Sequence, residues 1–218
     1  MTVRAIHLIL ACVLAIQVSH VRAEDQANAS PAPEISKSEA LIRAELPPPP
    51  AGFSWEVFKN AALLRPDGWN ERIAEPEGGD VPISVYAASP EEFTETKWFE
   101  TGVTLQIYSG PQDRKKVPAK KLALIYLNPF LQAHKKEDFS KFETNTDGDT
   151  QTIIIRYRDA PPGLKPVIIH KFLIADDAAD SLHVFTFESP ESSWQENWER
   201  YGTPIIGKIV IVPNLPSR

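Results

Sequence analysis

The chain of 218 residues has one cysteine, Cys12, and one methionine, Met1. Both lie ahead of Ala23, where an export signal would be cut, so the chain beyond it carries no disulfide, no thiolate nucleophile and no cysteine-based metal site. Cationic charge is also scarce: 23 Lys and Arg face 29 Asp and Glu, a formal net charge of −6. Such an acidic balance argues against general nucleic-acid binding. A glycine-rich phosphate loop is missing, since Gly78-Gly79 is followed by no Lys-Ser/Thr. No G-x-S-x-G elbow occurs either.

The apolar run Ala5 to Val18 is too short for a comfortable membrane span. Arg4 precedes it and Val21-x-Ala23 closes it, the pattern of a secretory signal over residues 1–23 cut after Ala23. A lipoprotein signal ending at Cys12 and an uncleaved anchor are the alternatives. Loss of Arg4 and Arg22 takes the formal charge from −6 to −8. Export without disulfides suits a chain long enough to bury its own core. The address expected is periplasmic or extracellular.

Residues 24–50 are rich in Ala, Ser, Glu and Pro and end in Pro47-Pro48-Pro49-Pro50, the composition of a disordered or polyproline II spacer. A ligand for a proline-recognition groove is the alternative. Within it Ser36 and Glu39 have capping-box spacing for a short helix reaching Ala44. Asn28-Ala29-Ser30 matches a glycosylation acceptor.

Residues 51–213 form one globular domain, and 214–218 a tail. Phe53, Trp55 and Val57 alternate with polar residues, and Ala61 to Arg65 supplies the hairpin partner before the turn Pro66-Asp67-Gly68-Trp69. Ile83 to Ala87 and Val103 to Ile107 read as strands, with Ser89-Pro90-Glu91-Glu92 opening a helical turn between them. Val117-Pro118 starts a helix with Leu122, Ile125 and Phe130 inward, interrupted at Asn128-Pro129. Phe139 to Thr144 and Thr152 to Arg158 flank the hairpin signal Asp147-Gly148. Strands follow at Val167 to Ile174 and from Leu182. Ser189 then caps a last helix with Pro190 at its first position. Trp194, Trp198, Tyr201, Ile205, Ile209 and Val212 make its apolar face, with a kink or break expected at Gly202 and Pro204. Many hairpins and few crossovers predict an α+β fold: a central antiparallel β-sheet with helices packed on its faces, an α/β/α sandwich.

Leu64-Arg65-Pro66-Asp67-Gly68-Trp69 is similar to the strand-to-turn element of the PsbP-like family. So is Val184-Phe185-Thr186-Phe187-Glu188-Ser189-Pro190, followed by the aromatic helix and Ile209-Val210-Ile211. The family includes the extrinsic photosystem II subunit, a nuclear-transport factor that binds Ran, and exported bacterial proteins such as DcrB. The resemblance implies the same sheet with helices on its faces, and partner binding or assembly more often than catalysis. It carries over no functional residue.

Candidate sites are few. His170 and His183, with Asp176, Asp177 or Asp180, have the chemistry of a metal site, against which stands their reading as hydrogen-bonded core histidines. Asn145-x-Asp147-x-Asp149 has Thr150 and Arg156 where a calcium loop needs Gly and Glu, and reads as a hairpin. Partner binding is assigned to the aromatic pair Trp98-Phe99 and the basic run Arg114, Lys115, Lys116, Lys120 and Lys121. The pair reads otherwise as a plug under its loop, the run as a solvated surface. Together these features predict an exported, noncatalytic binding or assembly module acting on a protein partner, with no cofactor and no metal. An envelope hydrolase using carboxylates or a His/Asp-bound metal, and a membrane-surface protein, are the alternatives.

Overall fold

The computed structural model describes residues 37–76, 79–94, 99–160 and 165–212. The stretch read as a signal, the Asn28-Ala29-Ser30 motif, Trp98 and the 214–218 tail lie outside them. Two antiparallel sheets form. The larger takes β3 (Asn70–Ala74), β4 (Ile83–Ser89), β5 (Gly102–Ser109), β9 (Ser181–Pro190), β8 (Val167–Asp176), β7 (Thr150–Asp159) and β6 (Phe139–Asp147), in that spatial order. The smaller has β2 (Ala61–Pro66) between β1 (Phe53–Phe58) and β10 (Val210–Ile211). Every pairing is antiparallel. This is the α+β class expected from the hairpin-rich sequence.

Period-two alternation splits the large sheet into two apolar faces. On one, Val103, Leu105 and Ile107 of β5 pair with Phe187, Phe185 and His183 of β9. The small sheet and the C-terminal helical segment cover this face through Leu63, Trp69, Trp194 and Ile205. On the other, Ile153, Ile155, Tyr157, Leu173 and Val184 meet α3 (Ala119–Ala133). Burying this many large side chains on both faces, at about 2 kcal/mol each, is the main term holding the sheet.

The inner line of α3 is Ala119, Ala123 and Leu127, with Leu122, Tyr126 and Phe130 beside it. Ile125, expected inward, is 51% exposed. Two alanines at i and i+4 let the helix sit close to the sheet, so the small residues, not the largest, mark the buried side. The helix also runs through Pro129 without stopping.

Within the stretch read as a spacer over residues 24–50, the short helix expected to reach Ala44 stands as α1, Lys37–Glu45, and its Ile42 is buried. Arg43 donates to the Trp55 carbonyl at 3.2 Å, and the Trp55 indole N–H donates to the Pro47 carbonyl at 2.6 Å. The proline run is therefore held by an aromatic of its own chain.

Ser189-Pro190 also differs from expectation. Ser189 is still in β9, and no side chain caps the 3-10 turn Glu191–Ser193 that follows. Its hydroxyl instead accepts from the Asn197 amide at 2.8 Å and lies 3.3 Å from the Thr101 hydroxyl. Ser89-Pro90 opens no helix; the Ser89 hydroxyl accepts the Glu91 N–H at 3.0 Å. Neither Gly202 nor Pro204 breaks the last helix. A π turn over Trp198–Gly202 joins α4 (Trp194–Asn197) to α5 (Thr203–Ile206), and the Thr203 N–H reaches the Trp198 carbonyl five residues back. This wider turn gives the ring of Pro204 room that an α turn denies it. Val210 and Ile211 form β10, the extended reading of Ile209 to Val212, and the Val212 N–H donates to the Asn60 carbonyl.

Candidate binding groove

At the end of the large sheet where β8 turns into β9, the small sheet and the end of α5 stand apart from it. An open groove of about 460 Å³ lies between them. Phe172 and Ile174 of β8 form one wall; Ile206, Ile209 and Ile211 form the other. Asn60, Thr150, Asp176 and His183 add polar groups. The β-bend at Asn60 and the period-two placement of His183 beside Phe185 bring two of them together: the His183 Nε2 lies 2.9 Å from the Asn60 Oδ1. With the amide oxygen accepting, the neutral ring carries its proton on Nε2. Burial pushes His183 down to about 4, opposed by the charge of Asp176. His183 is thus a neutral donor at pH 7.

The carboxylates where β8 turns into β9 have partners of their own. Asp176 accepts from the Thr150 hydroxyl at 3.2 Å and the Ala179 N–H at 2.9 Å. Asp177 accepts the Lys120 N–H at 3.0 Å in the first turn of α3. Asp180 takes the Gln112 and Asp113 N–H groups of α2 (Pro111–Lys115) at 2.7 and 3.1 Å. Carboxylates at these helix starts neutralise unpaired N–H groups and the positive end of the peptide dipoles.

His170 does not join His183. It pairs with Phe187, four positions along the ladder from the Ile174 that pairs with His183, on the order of 13 Å at strand spacing. Among the described residues no group of three or more His, Cys, Asp or Glu is placed to hold a metal. Asp147 and Asp149 flank a tight hairpin at Gly148, φ +54°, in the left-handed region that glycine favours.

His170 has partners that its sequence spacing does not reveal. Its ring centre lies 4.5 Å from that of Trp198, which stacks on Trp194 at 5.2 Å and 18°. The Arg156 guanidinium lies over Trp198 at 4.3 Å, and its Nε donates to His170 Nδ1 at 3.3 Å. Burial, and then the Arg156 charge, push His170 down to about 3. Arg156 carried no signal as a site residue in the sequence; only the register Arg156↔His170 brings them together.

The basic run is dispersed. Lys115 pairs with Asp80 at 2.7 Å. Lys116, at φ +57°, ends α2 and donates to the Asp113 carbonyl. Lys120 donates to the Gly148 carbonyl at 2.8 Å and lies 3.6 Å from Asp177. Arg114 and Lys121 are exposed. Phe99 meets Phe93 edge-on at 6.0 Å and packs over Gly102, where a Cβ would come within 2.8 Å of its ring and 2.7 Å of the Ala88 carbonyl oxygen.

No protein-family model matches the sequence, and a search of curated proteins finds no match. Among solved structures, the chain is similar to the Ran-binding protein Mog1p of Saccharomyces cerevisiae, with 16% identity over 70% of this chain and 90% of that one, TM-score 0.36. It is similar also to cyanobacterial PsbP (CyanoP) of Synechocystis sp. PCC 6803, with 12% identity over 74% of this chain and 94% of that one, TM-score 0.45. The resemblance to PsbP-like proteins in the sequence recurs in this comparison, while the α+β assignment rests on the chain's own strand order and register.

Proposed function

We propose that the chain is a noncatalytic binding module of the cell envelope that takes a protein segment into the groove beside His183. The observation that carries this reading is the groove itself: about 460 Å³, open, walled by Phe172, Ile174, Ile206, Ile209 and Ile211, with the neutral His183–Asn60 pair as a fixed polar group. Apolar walls with a few oriented polar groups suit a partner's apolar side chain and its backbone. The commitment of Asp176, Asp177 and Asp180 to backbone and hydroxyl partners supports a binding role over a hydrolytic one. The envelope address rests on the segment from Arg4 to Ala23.

A photo-crosslinking residue at Ile206 or Ala179, both on the groove wall, checks the reading in cells. Expected is one recurrent protein adduct from both positions and none from exposed Glu137, in the 3-10 turn that follows α3. Adducts of equal yield from Glu137, or none from the groove, reject it.

A further inference from the structure

We infer that Arg156 is the centre of an oxyanion-binding site, its two terminal guanidinium nitrogens presented to a carboxylate or phosphate group of a ligand. The guanidinium is held in one plane by three contacts. Its Cζ lies 4.3 Å from the Trp198 ring centre and 5.1 Å from that of Trp194, and its Nε is used by His170 Nδ1 at 3.3 Å. A neutral His170 keeps Nδ1 as an acceptor, so Arg156 cannot turn that edge outward. Nη1 and Nη2 then form a fork at the free end of the guanidinium, the geometry that binds two oxygens of one anion.

Charge makes the case sharper. The chain has six more acidic than basic residues, yet among the described residues no carboxylate comes within ion-pair distance of Arg156. Its neighbours are all served: Arg158 meets Glu191 at 2.9 Å, and Lys141, opposite Arg156 in the β6–β7 register, meets Glu143 at 3.2 Å. Arg156 is half-buried, and burial lowers its pKa with no acid opposing. A partly desolvated cation without a counter-charge is costly, and an incoming oxyanion removes that cost. The site lies on the same sheet face as the groove but toward the opposite end of β8, and it stands whether or not the groove binds a protein.

The test is a tryptophan-fluorescence titration of the whole protein with inorganic phosphate and, separately, with succinate, at ionic strength held constant with sodium chloride. Expected is a saturable change with at least one anion, reported by Trp194 and Trp198. Saturation by phosphate alone assigns the phosphate group as ligand; saturation by succinate alone assigns the carboxylate. Arg156→Gln should abolish the change, and Arg156→Lys, which keeps the charge but not the fork, should weaken it several-fold. Lys115→Glu, in the basic run, should leave it intact. No saturable change with either anion overturns the inference, as does an equal response in Arg156→Lys or a response lost in Lys115→Glu. If Arg156→Gln fails to fold, the Arg156→Lys comparison decides.

Discussion

Lys171 of β8 points under α3, where its Nζ donates to the Tyr126 and Thr186 hydroxyls at 3.0 and 3.1 Å and lies 4.8 Å from the Phe130 ring centre. Glu188, two residues beyond Thr186 on the same face of β9, is pushed up to about 7 by burial, with Lys171 opposing. Lys171→Met removes two hydrogen bonds made by a buried ammonium and the charge that opposes burial at Glu188, which then simply keeps its proton to higher pH. The urea-unfolding free energy at pH 7 should fall by about 2 kcal/mol. A Lys171→Met protein as stable as the parent would show that the Nζ contacts contribute nothing net. Nothing in the sequence marked this pair, because a Lys and a Glu in alternating strands read as solvent-facing until the helix that covers them is known.

At the scale of elements, the C-terminal helical segment depends on Gly202. Its backbone is helical, φ −59°, so conformation alone favours alanine there by about 0.5–1 kcal/mol. A Cβ, however, would overlap the Trp198 ring. Overpacking of this kind costs about 1–3 kcal/mol, and it outweighs the propensity gain because the ring is pinned by Arg156, His170 and Trp194. Gly202→Ala is expected to lower the denaturation midpoint and red-shift tryptophan emission; an unchanged or raised midpoint would mean that the ring has room to move.

Most strands of this α+β fold were legible as elements, since alternation survives wherever one face is buried: β1, β5 and the β6–β7 hairpin stand within a few residues of their sequence readings. Strand β3 was not. Asn70-Glu71-Arg72-Ile73-Ala74 has no apolar alternation, and as an edge strand it needs only backbone bonds to β4. The groove was not legible either, because Asn60 and His183 are 123 residues apart.

For the molecule as a whole, two neutral histidines under one sheet face tie stability to pH. His170 and His183 are buried and lowered to about 3 and 4 from 6.5. In the unfolded chain both take up protons near pH 6.5; in the fold they do not. Their contribution is complete above pH 6.5 and is lost as pH falls through the window down to 4 and 3, at about 2 kcal/mol per histidine between pH 7 and 5. Glu188 acts in the opposite sense: raised to about 7, it favours the fold as pH falls from 7 toward 4.5 and offsets part of the loss. Urea unfolding from pH 7 to 5 should thus show a net loss of stability, made smaller in a His183→Asn variant. Equal pH dependence in the parent and the variant would show that His183 is protonated in the fold.

The sequence by itself determined the alternating strands, the hairpin at Asp147-Gly148 and the turn at Pro66–Trp69, because each follows from local spacing and residue type. Tertiary structure alone decided what the polar residues do. It turned Asp177 and Asp180 into caps for α3 and α2, set His170 four positions away from His183, and held Arg156 against two tryptophans with no carboxylate within ion-pair distance among the described residues. The physical reason is that a side chain's charge and partners depend on what the fold brings across from other strands and helices, a distance that local periodicity does not encode.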